Sequence, residues 1–297
     1  MRLLIAACVL SVAAASSLRA PPAAWARLRG GLDALDEDED DSDAVDVDSD
    51  GGAPASSSSG SKLPIPPSKA LTKEEIVDKL NAIPVFCILN KENGVVGMRA
   101  VDDDAPSCCW FTDALEARAL LEATMKSNPE AGLHMGCHGL GAVFTRCGGW
   151  PTGEEPAGYE MPKAQPTSET GETVLLKLKG QHGLTKEVQP RLQELLKGSG
   201  IDPGCWQLPV FFCDELQSRS IVPVFLSPQD LATTWVKAGR TEDSIPENLT
   251  LMDIRMLVAQ MQTDSSPWSL IQFVGSMESV KLAQEVQGSA DSAPGAA

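Results

Sequence analysis

Aromatic residues make up 5% of this 297-residue chain, which has a single tyrosine. Readers of single-stranded nucleic acid stack bases on aromatic side chains along a basic groove. Here the formal net charge is −17, with no basic patch to set against it. DNA and RNA are therefore excluded as expected partners. Histidine occurs three times. Walker, dinucleotide-binding and nucleophile-elbow motifs are missing, and so is any C-x-x-C pair. Beyond the first residues no run is long and apolar enough to span a bilayer, so no integral membrane span is expected. Cysteine is present eight times. Cys8 lies in a segment expected to be removed, and the remainder form no small-domain disulfide framework. Scattered core thiols are the plainer reading, since free cysteine behaves as a small hydrophobe.

The charge that is present is uneven. Asp33 to Asp50 holds eleven carboxylates and no Lys or Arg, so the acidic stretch is an object separate from a mildly acidic folded part. Ahead of it, Met1-Arg2, the apolar run Leu3–Ala15 and the small residues through Ser17 read as a signal peptide, 1–17. Leu18 to Gly31 carries Arg19, Arg27 and Arg29 without an acid, a transit-peptide-like segment. Together they suit the bipartite presequence of algae with complex plastids, with plain secretion as the alternative. Residues 32–70, acidic and then rich in Ser, Gly and Pro, cannot bury enough apolar surface to offset ordering entropy and read as a disordered linker.

Order is expected from Leu71. Thr72 and Glu75 spell a capping box, with Leu71 and Ile76 at staple positions, for a helix ending near Asn81. Ile83–Leu89 reads as a strand with proline near its start. Asn93-Gly94 signals a hairpin, with a return over Val95–Met98. Ser107–Phe111 is a further strand. Thr112 is expected to cap a helix carrying Leu115, Ala119, Leu120 and Met125, stopped by Asn128-Pro129. Val143-Phe144 is read as a strand end, and 148–171 as a Pro/Gly/Glu-rich insertion. Val174–Leu178 is read as a strand, then a helix up to Gly198.

The syntax returns later in the chain. Leu208–Phe212 repeats Ile83–Phe86, Ile221–Phe225 is a second strand, and Ser227 with Pro228 and Asp230 caps a helix that stops at Gly239. Ile254, Leu257, Val258 and Met261 mark a helix, Leu270–Val274 a strand, and Ser276 opens a last helix. The fold class expected is α/β (α+β): two pseudo-symmetric halves, about 71–200 and 201–286, each a small sheet packed with helices. A disordered N-terminal region precedes them, and a disordered tail over 287–297 follows.

The ordered series Ile83–Phe86, Trp110–Pro129, Leu208–Phe212, Val222–Leu231 and Met252–Met261 with Gln262-Thr263-Asp264 resembles the Tic twenty-two family. That family is the soluble intermembrane-space subunit of the translocon at the inner envelope membrane of chloroplasts. The resemblance covers 71–286. It implies a two-half α/β fold, no catalytic residues, no cofactor, and a chaperone-like role for preproteins crossing between the envelope membranes. Unfolded preproteins and envelope translocon components are the partners implied, and a plastid is the location.

The candidate client-binding residues are the apolar Val85, Phe86, Phe111, Phe211, Phe212, Phe225 and Trp235, on the argument that a client binder keeps apolar side chains in an exposed groove. Strand addition at a sheet edge is the alternative mode. His134, Cys137, His138 and Cys147 are the densest metal-capable set. Their spacing matches no closed zinc site, so no metal is expected. Cys108-Cys109 are adjacent and would close a strained ring. Gly139-Leu140-Gly141 carries no phosphate-binding signature. Asp102–Asp104 reads as a solvated loop, and Asn248-Leu249-Thr250 matches a glycosylation acceptor. Two further readings compete: a secreted or lumenal Cys/His metal-binding enzyme, and a scaffold docking basic partners through its acidic tail.

Overall fold

The computed structural model describes residues 69–99, 105–150, 174–218, 220–246, 249–264 and 267–291. Residues 1–68, on which the expected signal peptide, transit-peptide-like segment and nearly all of the expected linker fall, lie outside the described residues, as do Asp102–Asp104, most of the expected insertion, Asn248 and the last six residues. In the first half, helix α1 (Lys73–Leu80) precedes strand β1 (Pro84–Leu89), β2 (Gly97–Met98) and β3 (Ser107–Phe111). Then come α2 (Ala114–Ser127), β4 (His134–Gly139), α3 (Leu140–Arg146), β5 (Leu175–Lys179) and α4 (His182–Gly198). The second half holds β6 (Pro209–Phe212), β7 (Val222–Phe225), α5 (Pro228–Lys237), β8 (Thr250–Asp253), α6 (Ile254–Met261), β9 (Ile271–Val274) and α7 (Met277–Asp291). The fold is α+β, with a five-stranded and a four-stranded sheet.

Four strands of each half match, and the two-residue β2 beside β3 has no counterpart in the second sheet. In the first sheet β1 lies antiparallel between β3 and β4, and β5 runs parallel to β3. In the second, β6 lies antiparallel between β7 and β8, and β9 runs parallel to β7. The registers coincide. Phe86 faces Phe111 as Phe211 faces Phe225, and Pro84 faces Gly139 as Pro209 faces Asp253. Leu140 N–H donates to Ile83 O at 2.9 Å, and Ile254 N–H to Leu208 O at 3.0 Å. Proline is tolerated in these central strands because Pro84 and Pro209 sit at the first strand residue, where no ladder donor is needed.

One core joins the halves. Val85, Cys87, Cys108 and Trp110 of the first sheet meet Val210, Phe212, Val222, Val224, Ile271 and Phe273 of the second, with α1, α3 and α6 filling the space between. The outer faces are covered reciprocally. α7, from the end of the second half, packs with α2 on the first sheet, where Leu282 joins Phe86 and Phe111. α4, from the end of the first half, packs on the second sheet, where Leu192 joins Phe211, Phe225, Leu231 and Trp235. The chain crosses at matched glycines. A Cβ on Gly180 would lie 3.1 Å from Leu208 Cδ1, and one on Gly275 would lie 3.2 Å from Ile83 Cδ1.

Several sequence expectations are corrected. Asp113, not Thr112, caps α2, with Oδ1 accepting from Leu115 and Glu116 N–H at 2.9 Å each. α2 buries Ala114 and Ala117, while Leu115 and Met125 point to solvent. Val143 and Phe144 belong to helix α3, not to a strand end. The glycines explain this: a Cβ at Gly141 would meet Val77 O at 2.3 Å, so α3 lies against α1 more closely than any larger residue permits. Thr250–Asp253 is a strand ahead of α6, so the segment Met252–Met261 is not helical from its first residue, and the helix begins at Ile254 after its cap Asp253. The last helix runs to Asp291, past the tail boundary at 287. The capping box is as expected: Glu75 N–H donates to Thr72 Oγ1 at 3.2 Å and Thr72 N–H to Glu75 Oε2 at 2.8 Å. At the hairpin Asn93 adopts φ 60°, a left-handed conformation that asparagine accepts.

Candidate functional site

The seven residues proposed as a client groove are core residues. All seven are 6% exposed or less. Val85 and Phe212 line the shared core. Phe86 and Phe111 lie beneath α2 and α7, and Phe211, Phe225 and Trp235 lie between the second sheet, α4 and α5. The strands are covered on both faces, so alternation along them separates two buried faces and leaves none for a groove. Trp235 also donates Nε1–H to Thr241 O at 2.9 Å, and the Arg240 guanidinium lies 4.2 Å from its ring centroid.

The exposed large apolar side chains are elsewhere: Met125, Ile221 and Val236 stand singly, and three gather at the starts of two helices. Leu115 (64%) starts α2, while Met277 (54%) and Val280 (38%) start α7. The two helices run side by side from a common end. Ser279 Oγ–H donates to Thr112 O at 3.0 Å at their starts, and Arg118 pairs with Glu285 further along. Helices α4 and α5 begin near the same place. His182 N–H, at the start of α4, donates to Glu116 Oε1 at 2.8 Å, and Asp230 of α5 feels the charges of Glu278 and Asp113. Burial, more than these neighbours, holds the Asp230 carboxyl above its ordinary range, although the Ser227 hydroxyl donates to Oδ2 at 2.9 Å. Burial also pushes Glu116 up, against the His182 N–H bond. Negative helix-start side chains suit the positive ends of the helix dipoles. The resulting end of the molecule combines exposed Leu115, Met277 and Val280 with Asp113, Glu116, Asp230 and Glu278. Sequence reasoning placed Leu115 on its helix without separating it from the buried positions, and so missed this surface.

The metal-capable set does not converge. His138 pairs across from Val85 and so faces the shared core, while Cys137 pairs across from Phe86 and faces the opposite side. His134 is exposed and its Nε2 lies 3.1 Å from Asn93 Oδ1. His138 is held below its usual range by burial and by Arg146. Among the described residues no group of three or more metal-capable side chains comes together. Three buried thiols are suppressed as nucleophiles: burial pushes Cys87 and Cys213 up to about 12 and Cys108 up to about 11, far from the depressed values of reactive cysteines. No helix among the described residues is long and apolar enough to cross a membrane.

The pair of glycines around Leu140 has a packing role. A Cβ at Gly139 would lie 2.3 Å from Asn81 Oδ1. That oxygen, from the residue that ends α1, accepts Ala142 N–H at 3.1 Å and so caps the start of α3.

No family model matches this sequence, and no curated protein matches it. Solved structures similar to it include two Tic22 proteins. "Anabaena Tic22 (protein transport)" is 16% identical with a TM-score of 0.44, over 72% of this chain and 97% of that one. "Tic22 from Plasmodium falciparum" is 17% identical with a TM-score of 0.46, over 72% of this chain and 98% of that one.

Proposed function

We propose that this chain is a non-catalytic protein-transport factor that holds preproteins between plastid envelope membranes, delivered there by the bipartite presequence of residues 1–31. The observation that carries the reading is the register-matched duplication of the two sheets, since the sequence resemblance implied such a two-half fold. The holding surface under this reading is the common end of α2 and α7, where Leu115, Met277 and Val280 stand exposed beside Asp113, Glu116, Asp230 and Glu278. An apolar patch bordered by carboxylates favours unfolded segments that carry Arg or Lys and few acids. The test is suppression of aggregation of a heat-unfolded client by the full chain. Equimolar protein is expected to suppress it, and Leu115→Ser with Met277→Ser to weaken suppression several-fold. No suppression at equimolar dose overturns the holding role. For the location, a fluorescent fusion to residues 1–70 is expected to reach the plastid of a complex-plastid alga, and export to the medium would favour secretion instead.

A further inference from the structure

Each sheet has two outer strands, and three of the four are shielded. β5 carries Lys177 and Lys179, and the Cys205 thiol lies 3.7 Å from Leu176 O. At β9 the Lys79 ammonium donates to Ile271 O at 3.1 Å. β8 is four residues long and turns the charged Asp253 inward. Lysines, short strands and inward charges are the means by which native sheets protect an edge. β4 has none of them: His134–Gly139 is six residues long, without proline, Asp, Glu, Lys or Arg. Its backbone shows which groups are open. Leu140 N–H donates to Ile83 O, so by register His138, Gly136 and His134 exchange ladder bonds with β1. Met135 and Cys137 turn their N–H and C=O away from β1, and Gly139 its N–H. Ile88, opposite Met135, agrees, since its carbonyl accepts Val96 N–H at 2.9 Å on the far side of β1. Among the described residues none of these outward groups on β4 has a hydrogen-bond partner.

We infer that β4 pairs antiparallel with β4 of a second copy of this chain, about a twofold axis at Cys137. Antiparallel pairing of two identical strands is twofold symmetric by construction. Centred on Cys137, it sets Met135 against the second copy's Gly139 and Cys137 against Cys137, and every outward group finds a partner. Centred on Gly136, it would leave Gly139 N–H unpaired. The helices favour a second copy over a lone extended peptide. α2 packs over β1 and β3, and α7 over β1 and β4, so α7 stands beside the open edge. Arg118 ties Glu285 of α7 toward α2, while Leu282 and Val286 lie on the sheet. At about 100° per residue, the flank of α7 turned away from α2 holds Val280, Ala283 and Gln287. That flank bears no charge, and Glu278 lies with Glu285 on the other one. Strands joined about 4.8 Å apart bring the two α7 helices to about two strand spacings, or about 10 Å, where helices pack. Val280 and Ala283 then lie between them, and a chain of net charge −17 meets itself without opposing like charges. A lone added strand would leave Val280 in water. The inference does not depend on the holding role, whose test reads aggregation of a client.

The test is the mass of the full chain in reducing buffer, by sedimentation equilibrium from about 1 to 100 μM, with hydrogen exchange read over the same range. A dimer is expected, and the amides of Met135, Cys137 and Gly139 are expected to gain protection as concentration rises. Cys137→Pro removes an outward N–H that β1 does not use, and proline is tolerated on a sheet edge, so a folded monomer is expected. Val280→Glu sets two carboxylates against each other across the axis and is expected to weaken the dimer at least about tenfold. It gives the same reading if the proline variant fails to fold. Leu115→Glu, on α2, is expected to leave the mass unchanged. A monomer at every concentration, or a dimer unchanged by both Cys137→Pro and Val280→Glu, overturns the inference. Edge amides that gain protection only when an unfolded client is added overturn it as well, in favour of client strand addition at β4.

Discussion

Asp253 and Arg255 form a buried ion pair at the joint between the halves, with Arg255 Nε–H donating to Asp253 Oδ1 at 2.9 Å. The pair is tied into the backbone on both sides. Asp253 Oδ2 accepts Leu208 N–H at 3.1 Å, which fixes the start of β6, and Oδ1 caps α6 through Arg255 N–H at 2.9 Å. Arg255 donates to Asp202 O at 2.8 Å and Trp206 O at 3.0 Å, and its guanidinium lies 4.7 Å from the Trp206 ring centroid. The first half has Gly139 at the matching register position, and there Asn81 supplies the cap instead. One acidic side chain thus organises the second half at a place where the first half borrows an amide from α1.

Removing one partner of such a pair leaves a buried charge and orphaned backbone donors. Asp253→Ala is expected to cost about 3–5 kcal/mol, read as a fall in the urea midpoint. A loss under about 1 kcal/mol would mean the joint is wet and the pair contributes as little as surface pairs do.

Close approach of α1 and α3 depends on Gly141. Gly141→Ala places a Cβ against the Val77 carbonyl, which is backbone and cannot swing away. About 1–3 kcal/mol of destabilisation is expected. Gly183→Ala, in α4 with nothing within 4 Å of its Cβ, is expected to be neutral or mildly stabilising because alanine is the better helix former. Thermal unfolding of the two variants distinguishes a packing glycine from a tolerated one.

The carboxyls at the common helix end give a pH signature. Asp230 and Glu116 are held above their ordinary values, mainly by burial. In the pH window between the ordinary and the raised value the folded chain binds more protons than the unfolded one. The stability contributed by these groups is therefore present at acid pH and lost as pH rises through the folded value. Asp230→Asn keeps an acceptor for the Ser227 hydroxyl and removes the buried charge. It is expected to raise the thermal midpoint at pH 7 and to lose that advantage near pH 4. An advantage that is independent of pH would show that the carboxylate is not strained by burial.

Much of the duplication was legible because it is written in local signals. The Pro-Val-Phe strand starts, the Thr72–Glu75 box and the Ser227-Pro228 cap each act within a few residues. β4 and α3 were not legible, since residues 136–141 hold three glycines and show neither a two-residue nor a helical apolar period. Their conformation comes from contact with Leu89, Asn81 and Val77. The candidate surface was misplaced for a related reason. Val85, Phe86, Phe211 and Phe212 lie in strands covered on both faces, and apolar richness in such a strand does not distinguish core from groove. The exchange of α4 and α7 leaves no mark in the order of elements, because a helix that covers its own sheet and one that crosses over have the same place in the sequence.

That exchange makes the outcome of truncation unusual. If each half were self-contained, deleting α7 would loosen the second sheet, to which it is joined through β9. In this fold α7 covers Phe86, Phe111 and Met135 of the first sheet, with Leu282 buried among them and Ser279 bonded to Thr112. A chain ending at Gly275 is therefore expected to lose hydrogen-exchange protection first in β1, β3 and β4, while β6 and β8, covered by α4, keep theirs. Newly exposed aromatic surface on the first sheet should also bind a hydrophobic dye. Leu282→Ala, which opens a cavity without removing the helix, is expected to cost about 2–5 kcal/mol and to move the same first-half amides. Protection lost from β6 and β8 instead would mean that the last helix stabilises the half it belongs to in sequence, and the reciprocal covering of the two sheets would be wrong.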